Sequence, residues 1–157
     1  MPGFQHTVTI AAPPERVWAV VADVGRWPEH IPTVDEAERL DEGPLRVGSR
    51  TRLKQPKLSG AVWTVTELTG GTSFTWVSKS PGVTVTGAHV VEPHPDGSRL
   101  TLTLTTAGPL AGLGWLLVKS LTRRYVVAEG AAVKKAAEAQ STGPSSHAPG
   151  PSGSSEK

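Results

Sequence analysis

The sequence predicts an α+β fold: a curved antiparallel sheet of about six to seven strands wrapped around a long C-terminal helix, with two short helices after the first strand. Three observations predict it. From residue 35 to residue 106, β-rich runs follow one another, separated only by short turns, which is the pattern of antiparallel pairing. The segment 109–139 then carries apolar residues at spacings of three and four, as an amphipathic helix does. Between residues 11 and 32, proline-bounded stretches leave room for short helices only.

The elements follow in order. Residues 4–10, FQHTVTI, place Phe4, His6, Val8 and Ile10 on one parity, as a strand does. Pro13, Pro14 and Glu15 suit a helix's first turn, where a missing N–H costs nothing and a carboxylate meets the positive end of the dipole. Val17, Trp18, Val20 and Val21 give that helix an apolar face, and Asp23 and Gly25 end it. Trp27-Pro28 through Ile31-Pro32 reads as a second short helix or turn. Strands are expected at 35–40, 47–55, 60–68, 72–79, 82–92 and 97–106. Glu42-Gly43-Pro44, Gly70-Gly71, Pro81-Gly82 and Pro93 to Gly97 punctuate them. In the last strand Leu100, Leu102 and Leu104 alternate with threonines, a core face against a wet one. In the final helix Leu110, Leu113, Leu117, Leu121, Tyr125, Ala128 and Ala132 form the stripe expected to face the sheet. A helix of this length spans about 45 Å, enough to cover the whole sheet.

Composition bounds the function. The chain has 157 residues, with 16 Lys+Arg, 14 Asp+Glu and no Cys. That length fits one domain with its own core. It is expected over residues 1–140, followed by a disordered Gly/Pro/Ser-rich tail, 141–157, with no large apolar residue to offset the entropy of ordering. Without Cys there is no disulfide framework and no thiol nucleophile. The net charge of +2 gives no bulk attraction to nucleic acid. No apolar stretch approaches the roughly 20 residues of a membrane span, and no signal peptide is visible, so a cytoplasmic location is expected. No GxSxG elbow, phosphate loop or HExxH motif is present, and the histidines are scattered, so neither a metal nor a cofactor is expected. Residues 15–42 are rich in acids, whereas 43–66 hold Arg46, Arg50, Arg52, Lys54 and Lys57 with no acid. That reads as a solvated basic strand face, which also discourages edge pairing.

Several stretches together carry a family resemblance: AAPPERVWAVVADVGRWPEHIP after the opening strand, then WTVTEL, SFTW, GAHVVEP and DGSRLTLTL, and Tyr125-Val126-Val127-Ala128-Glu129 in the last helix. In order and spacing, over about residues 4–139, the chain resembles the START-like helix-grip fold, the SRPBCC superfamily that includes polyketide cyclase/dehydrase-type proteins. The resemblance implies a cavity between sheet and helix for a hydrophobic or aromatic small molecule. It does not imply one reaction, because fold alone does not fix function.

The residues supply material for such a cavity. Trp63, Phe74 and Trp76 are large rings on the sheet; Gly112, Gly114, Ala128, Ala131 and Ala132 are small residues on the helix. Rings facing small residues either interlock as a dry core or leave a pocket in which they stack on a planar ligand. His89 lies on the otherwise apolar parity Val83-Val85-Gly87-Val91. It either bonds a backbone carbonyl or Tyr125 in the core, or lines the pocket and orients a ligand oxygen. Histidine also moves protons readily near neutral pH. Tyr125 is the helix residue expected to meet a ligand, with Leu117 and Leu121 as apolar contacts. Trp27 and His30 are expected at the cavity mouth, where the resembling folds have theirs. Glu129 reads either as a solvated flank carboxylate or, facing inward, as a group whose charge must be paired or whose pKa must rise, which would point to chemistry. Trp115 reads as a packing or helix-end residue. Three functions follow as expectations: binding of a hydrophobic small molecule; a polyketide cyclase/dehydratase with His89 or Tyr125 as acid/base; or an interaction module with a filled core and a basic docking face.

Overall fold

The alternating opening residues do form a strand, β1 (Gly3–Ile10). The computed structural model describes residues 3–142; the expected tail lies, from residue 143 on, outside the described residues. After β1, Pro13 caps helix α1 (Pro14–Ala22) in an extended conformation, and α1 buries Val17, Val20 and Val21. A single 3-10 turn at Val24–Arg26 leads into α2 (Trp27–His30), whose Trp27 is buried. Six strands follow: β2 (Glu36–Arg39), β3 (Arg50–Lys54), β4 (Ala61–Thr69), β5 (Ser73–Ser80), β6 (Val83–His94) and β7 (Gly97–Ala107). The chain ends in α3 (Ala111–Thr142). All seven strands form one sheet in the order β1-β7-β6-β5-β4-β3-β2, every pair antiparallel. This is the predicted α+β architecture. Among the described residues, no helix is long and apolar enough to cross a membrane.

The register fixes which side chains face α3. Leu102, His89, Phe74 and Leu68 lie side by side across β7, β6, β5 and β4. The next row inward is Leu104, Gly87, Trp76 and Val65. Strict alternation from Trp63 and Val65 would turn Glu67 into the core. A bulge between Val65 and Glu67 shifts the register, so that Leu68 pairs with Phe74 instead. Bulges also bend a strand and increase its twist, which adds to the curl of the sheet around α3. The basic face of β3 does not stand alone. Arg52 meets Glu38 of the edge strand at 2.7 Å, and the Asp41 carboxylate accepts the Arg50 backbone N–H at 3.0 Å.

The rotation of α3 differs from the sequence expectation. Leu110, Leu113 and Leu117, placed on the core stripe, are 51%, 60% and 75% exposed. The buried positions include Ala111, Tyr125, Val126, Ala132, Val133 and Ala137, so Tyr125 and Ala132 of the expected stripe do face the core and its N-terminal leucines do not. The stretch 110–121 is apolar nearly all round, so its leucines do not define a face. The rotation is set further along, where the helix comes close to β1. A Cβ on Gly130 would lie 2.9 Å from Val8 Cγ2 and 3.1 Å from His6 Cδ2. Gly130→Leu should therefore destabilise the fold by about 1–3 kcal/mol through overpacking, despite leucine's better helix propensity. Urea unfolding of the two proteins measures this.

The C-terminal part of α3 is clamped to the end of β1 and the turn after it. Glu138 accepts the Ala11 backbone N–H at 2.8 Å and Lys134 Nζ at 2.6 Å. Lys134 Nζ also donates to the Thr9 carbonyl at 3.1 Å. The hydrogen bond from Lys134, then that from Ala11, holds the Glu138 carboxyl below its usual 4.5. Because the folded value is the lower one, the clamp stabilises fully above the unfolded value and is lost as pH falls through the lowered one. Glu138→Gln should cost at most about 1 kcal/mol at pH 7, the range of exposed ion pairs. The difference from the parent should shrink as urea titrations are repeated below pH 4.5.

Candidate functional site

Between the concave face of the sheet and the first half of α3 lies a partly open cavity of about 230 Å³. Leu53 of β3, Trp63 of β4, Trp76 of β5, and Val85, Gly87 and His89 of β6 form one side. Leu102 and Leu104 of β7 continue it. On α3, Trp115, Val118, Thr122, Tyr125, Val126 and Glu129 close the other side. Their spacing of three and four is one helix face, turned away from the leucine stripe. Trp27 of α2 and Gln55 and Leu58 of the β3–β4 loop complete the lining.

The aromatic rings brace one another. Trp76 contacts Trp27 edge-on at 5.3 Å and Trp63 at 5.4 Å between ring centroids. Phe74 lies behind them, fully buried, stacked on His89 at 4.2 Å and edge-on to Trp76 at 5.3 Å. The Trp27–Trp76 and Phe74–Trp76 contacts are of the edge-to-face kind that aromatic quadrupoles favour. The wall is rigid because each ring is held by at least one other.

His89 is 4% exposed, and two acceptors face its two nitrogens. Nδ1 lies 3.4 Å from the Phe74 carbonyl, and Nε2 lies 3.2 Å from Glu129 Oε2. A carbonyl only accepts, so a proton on Nδ1 is donated to the Phe74 carbonyl, whereas a proton on Nε2 is donated to the Glu129 carboxylate. Glu129 borders the cavity with its side chain 19% exposed, so the pair is reachable by a bound molecule.

The other expected site residues are distributed as follows. Trp63, Trp76, His89 and Tyr125 line the cavity. Trp27 lines it too, but at depth rather than at the mouth: it is 1% exposed, and its Nε1–H donates to the Val21 carbonyl at 3.2 Å. Phe74 supports the wall from behind. His30 is half-buried and not part of the lining. Leu117 points to solvent and Leu121 lies off the cavity face, both because of the helix rotation. The Tyr125 hydroxyl donates to the Pro56 carbonyl, tying α3 to the β3–β4 loop. The alternatives of a filled core and of Glu129 as a solvated flank residue are corrected by this geometry. Sequence reading missed Trp115 as a lining residue and left Glu129 between flank and interior; the structure turns Glu129 to the cavity. Among the described residues, no group of three His, Asp or Glu side chains could hold a metal ion.

A family model described as polyketide cyclase/dehydrase and lipid transport matches residues 1–138. The fold is similar to that of the Zhui aromatase/cyclase from Streptomyces sp. R1128, with a TM-score of 0.75 and 24% identity over 90% of this chain and 96% of that one. It is also similar to a START superfamily protein from Mycobacterium smegmatis, with a TM-score of 0.69 and 18% identity over 88% and 98% of the two chains. Forty residues are 55% identical to the granaticin polyketide synthase bifunctional cyclase/dehydratase of Streptomyces violaceoruber, a match spanning 25% of this chain but only 12% of that protein. The match over nearly the whole described chain places it: the chain belongs to the polyketide cyclase/dehydrase and lipid transport family.

Proposed function

We propose that the protein binds a planar hydrophobic or aromatic small molecule between the sheet and α3. The observation that carries this reading is the cavity itself, a hollow of about 230 Å³ walled by tryptophans and aliphatic residues. An apolar cavity of about 150 Å³ accepts a benzene-sized guest, so this one has room for roughly two fused rings. Trp63 and Trp76 offer faces and edges for stacking, and His89, Glu129 and Tyr125 supply the few polar groups that orient a ligand. Titration with 1-naphthol, followed by tryptophan fluorescence, tests the reading. Saturable quenching that is lost when Leu102→Trp fills the cavity is the expected result; no saturable binding to the parent protein would overturn it.

A second reading, cyclisation and dehydration of a polyketide-like chain, is favoured by the His89–Glu129 pair. The granaticin and Zhui proteins are named for such activities. In this reading the pair takes a proton from a methylene between two carbonyls. The resulting enolate carbon attacks a third carbonyl of the same chain, and the new alkoxide is protonated. Loss of a second ring proton with departure of the hydroxyl as water leaves an unsaturated ring. The cavity contributes by holding the flexible chain folded, so that the reacting carbons meet. Product formation from a poly-β-ketone analogue, above the rate without protein, separates an enzyme from a carrier.

A further inference from the structure

Trp76 and Gly87 face each other in register across β5 and β6. Trp76 is 4% exposed, and its ring is fixed by Trp27, Trp63, Phe74 and His89. Its indole nitrogen differs from that of its neighbour. Trp27 Nε1–H is satisfied by the Val21 carbonyl, whereas the Trp76 N–H meets no acceptor among the described residues. The Trp76 Nε1–H is not among the buried polar groups without a partner; it borders the cavity, where an acceptor of a bound molecule can reach it. A Cβ on Gly87 would lie 3.1 Å from Trp76 Nε1 and 3.2 Å from Cδ1. Any other residue at this position would crowd the N–H. Both residues line the cavity.

We propose that Gly87 holds open a hydrogen-bonding port onto the Trp76 N–H, and that the port takes an oxygen acceptor of the ligand, the carbonyl of an aryl ketone. The proposal rests on the reading of the cavity as a ligand site and names the ligand's chemical class. An indole N–H donates and cannot accept, so it selects for a carbonyl over a hydrocarbon of the same shape. His89 lies two residues beyond Gly87 on the same strand face, about 7 Å away. A ring system anchored by its carbonyl at Trp76 would therefore extend beside the His89–Glu129 pair. The port fixes the register of the ligand on the sheet wall, and the pair faces the part that follows.

The test compares 2-acetylnaphthalene with 2-ethylnaphthalene, which has a similar shape and no oxygen. In the ¹⁵N-labelled protein, the Trp76 indole signal is identified by its absence from Trp76→Phe. The ketone should move that indole proton downfield, and the hydrocarbon should not. Gly87→Ala should weaken the ketone about three- to tenfold, the worth of roughly one hydrogen bond, and the hydrocarbon less than twofold. A variant that merely misfolds loses both probes alike, and the ratio between them reports the port. An unmoved Trp76 proton at saturation, or equal losses for both probes in Gly87→Ala, would overturn the port and leave the ligand site standing. Failure of both probes to bind the parent protein would overturn the ligand site and the port with it.

Discussion

Phe74→Ala should lower the stability of the protein by about 3–5 kcal/mol, the usual cost of truncating a buried phenylalanine. Phe74 is fully buried on a central strand. It stacks on His89 and meets Trp18 and Trp76 edge-on. Truncation removes the apolar burial and leaves a hole that these rings, being braced by other contacts, cannot collapse to fill. Against a typical stability of about 5–15 kcal/mol, the loss is large enough to depopulate the native state on mild warming. Phe74→Leu keeps most of the volume and should cost clearly less. The pair of variants separates burial from ring stacking when their urea midpoints are compared.

The same residue shows where sequence reading succeeds and where it stops. Phe74 and Trp76 share a parity, and so do Gly87 and His89; a period of two survives in any sheet, so the inward face of β5 and β6 was readable. The turns placed the strands for the same reason: Gly70-Gly71 and Pro81-Gly82 can be little else. The bulge at Val65/Glu67 left no such mark, and without it Glu67 reads as an inward residue. Helix α3 failed differently. Its first turns carry leucine on several faces, so the strongest apolar stripe, Leu110-Leu113-Leu117, is not the buried one. What sets the rotation is a long-range contact, Gly130 against Val8 and His6 of β1, and a local period cannot contain it. Rotating the helix moved Glu129 from the flank to the cavity and Leu117 from the core to solvent. An inward Glu129 with a paired charge was one of the alternatives the sequence left open, but its partner, His89, was not readable.

If the cavity performs chemistry, Glu129→Gln should reduce turnover of a poly-β-ketone analogue by about 10²–10⁴, the usual contribution of a positioned acid/base group. The amide keeps the size of the carboxyl and can still meet His89 Nε2, but it cannot take or release a proton. Binding should be nearly unchanged, because the change leaves the tryptophan wall untouched. The loss should therefore fall on kcat and not on KM. His89→Gln should lose turnover to a similar degree, and the double variant should be little worse than either single one. Groups that act as a unit are non-additive in this way. Glu129→Asp offers the contrasting case: it retains a carboxyl, drawn back by one methylene from its 3.2 Å contact, and should recover part of the lost rate. Equal losses in kcat for Gln and Asp would show that contact geometry rather than proton exchange limits the reaction. An unchanged rate in Glu129→Gln would remove the pair from the chemistry altogether and leave the cavity as a binding site.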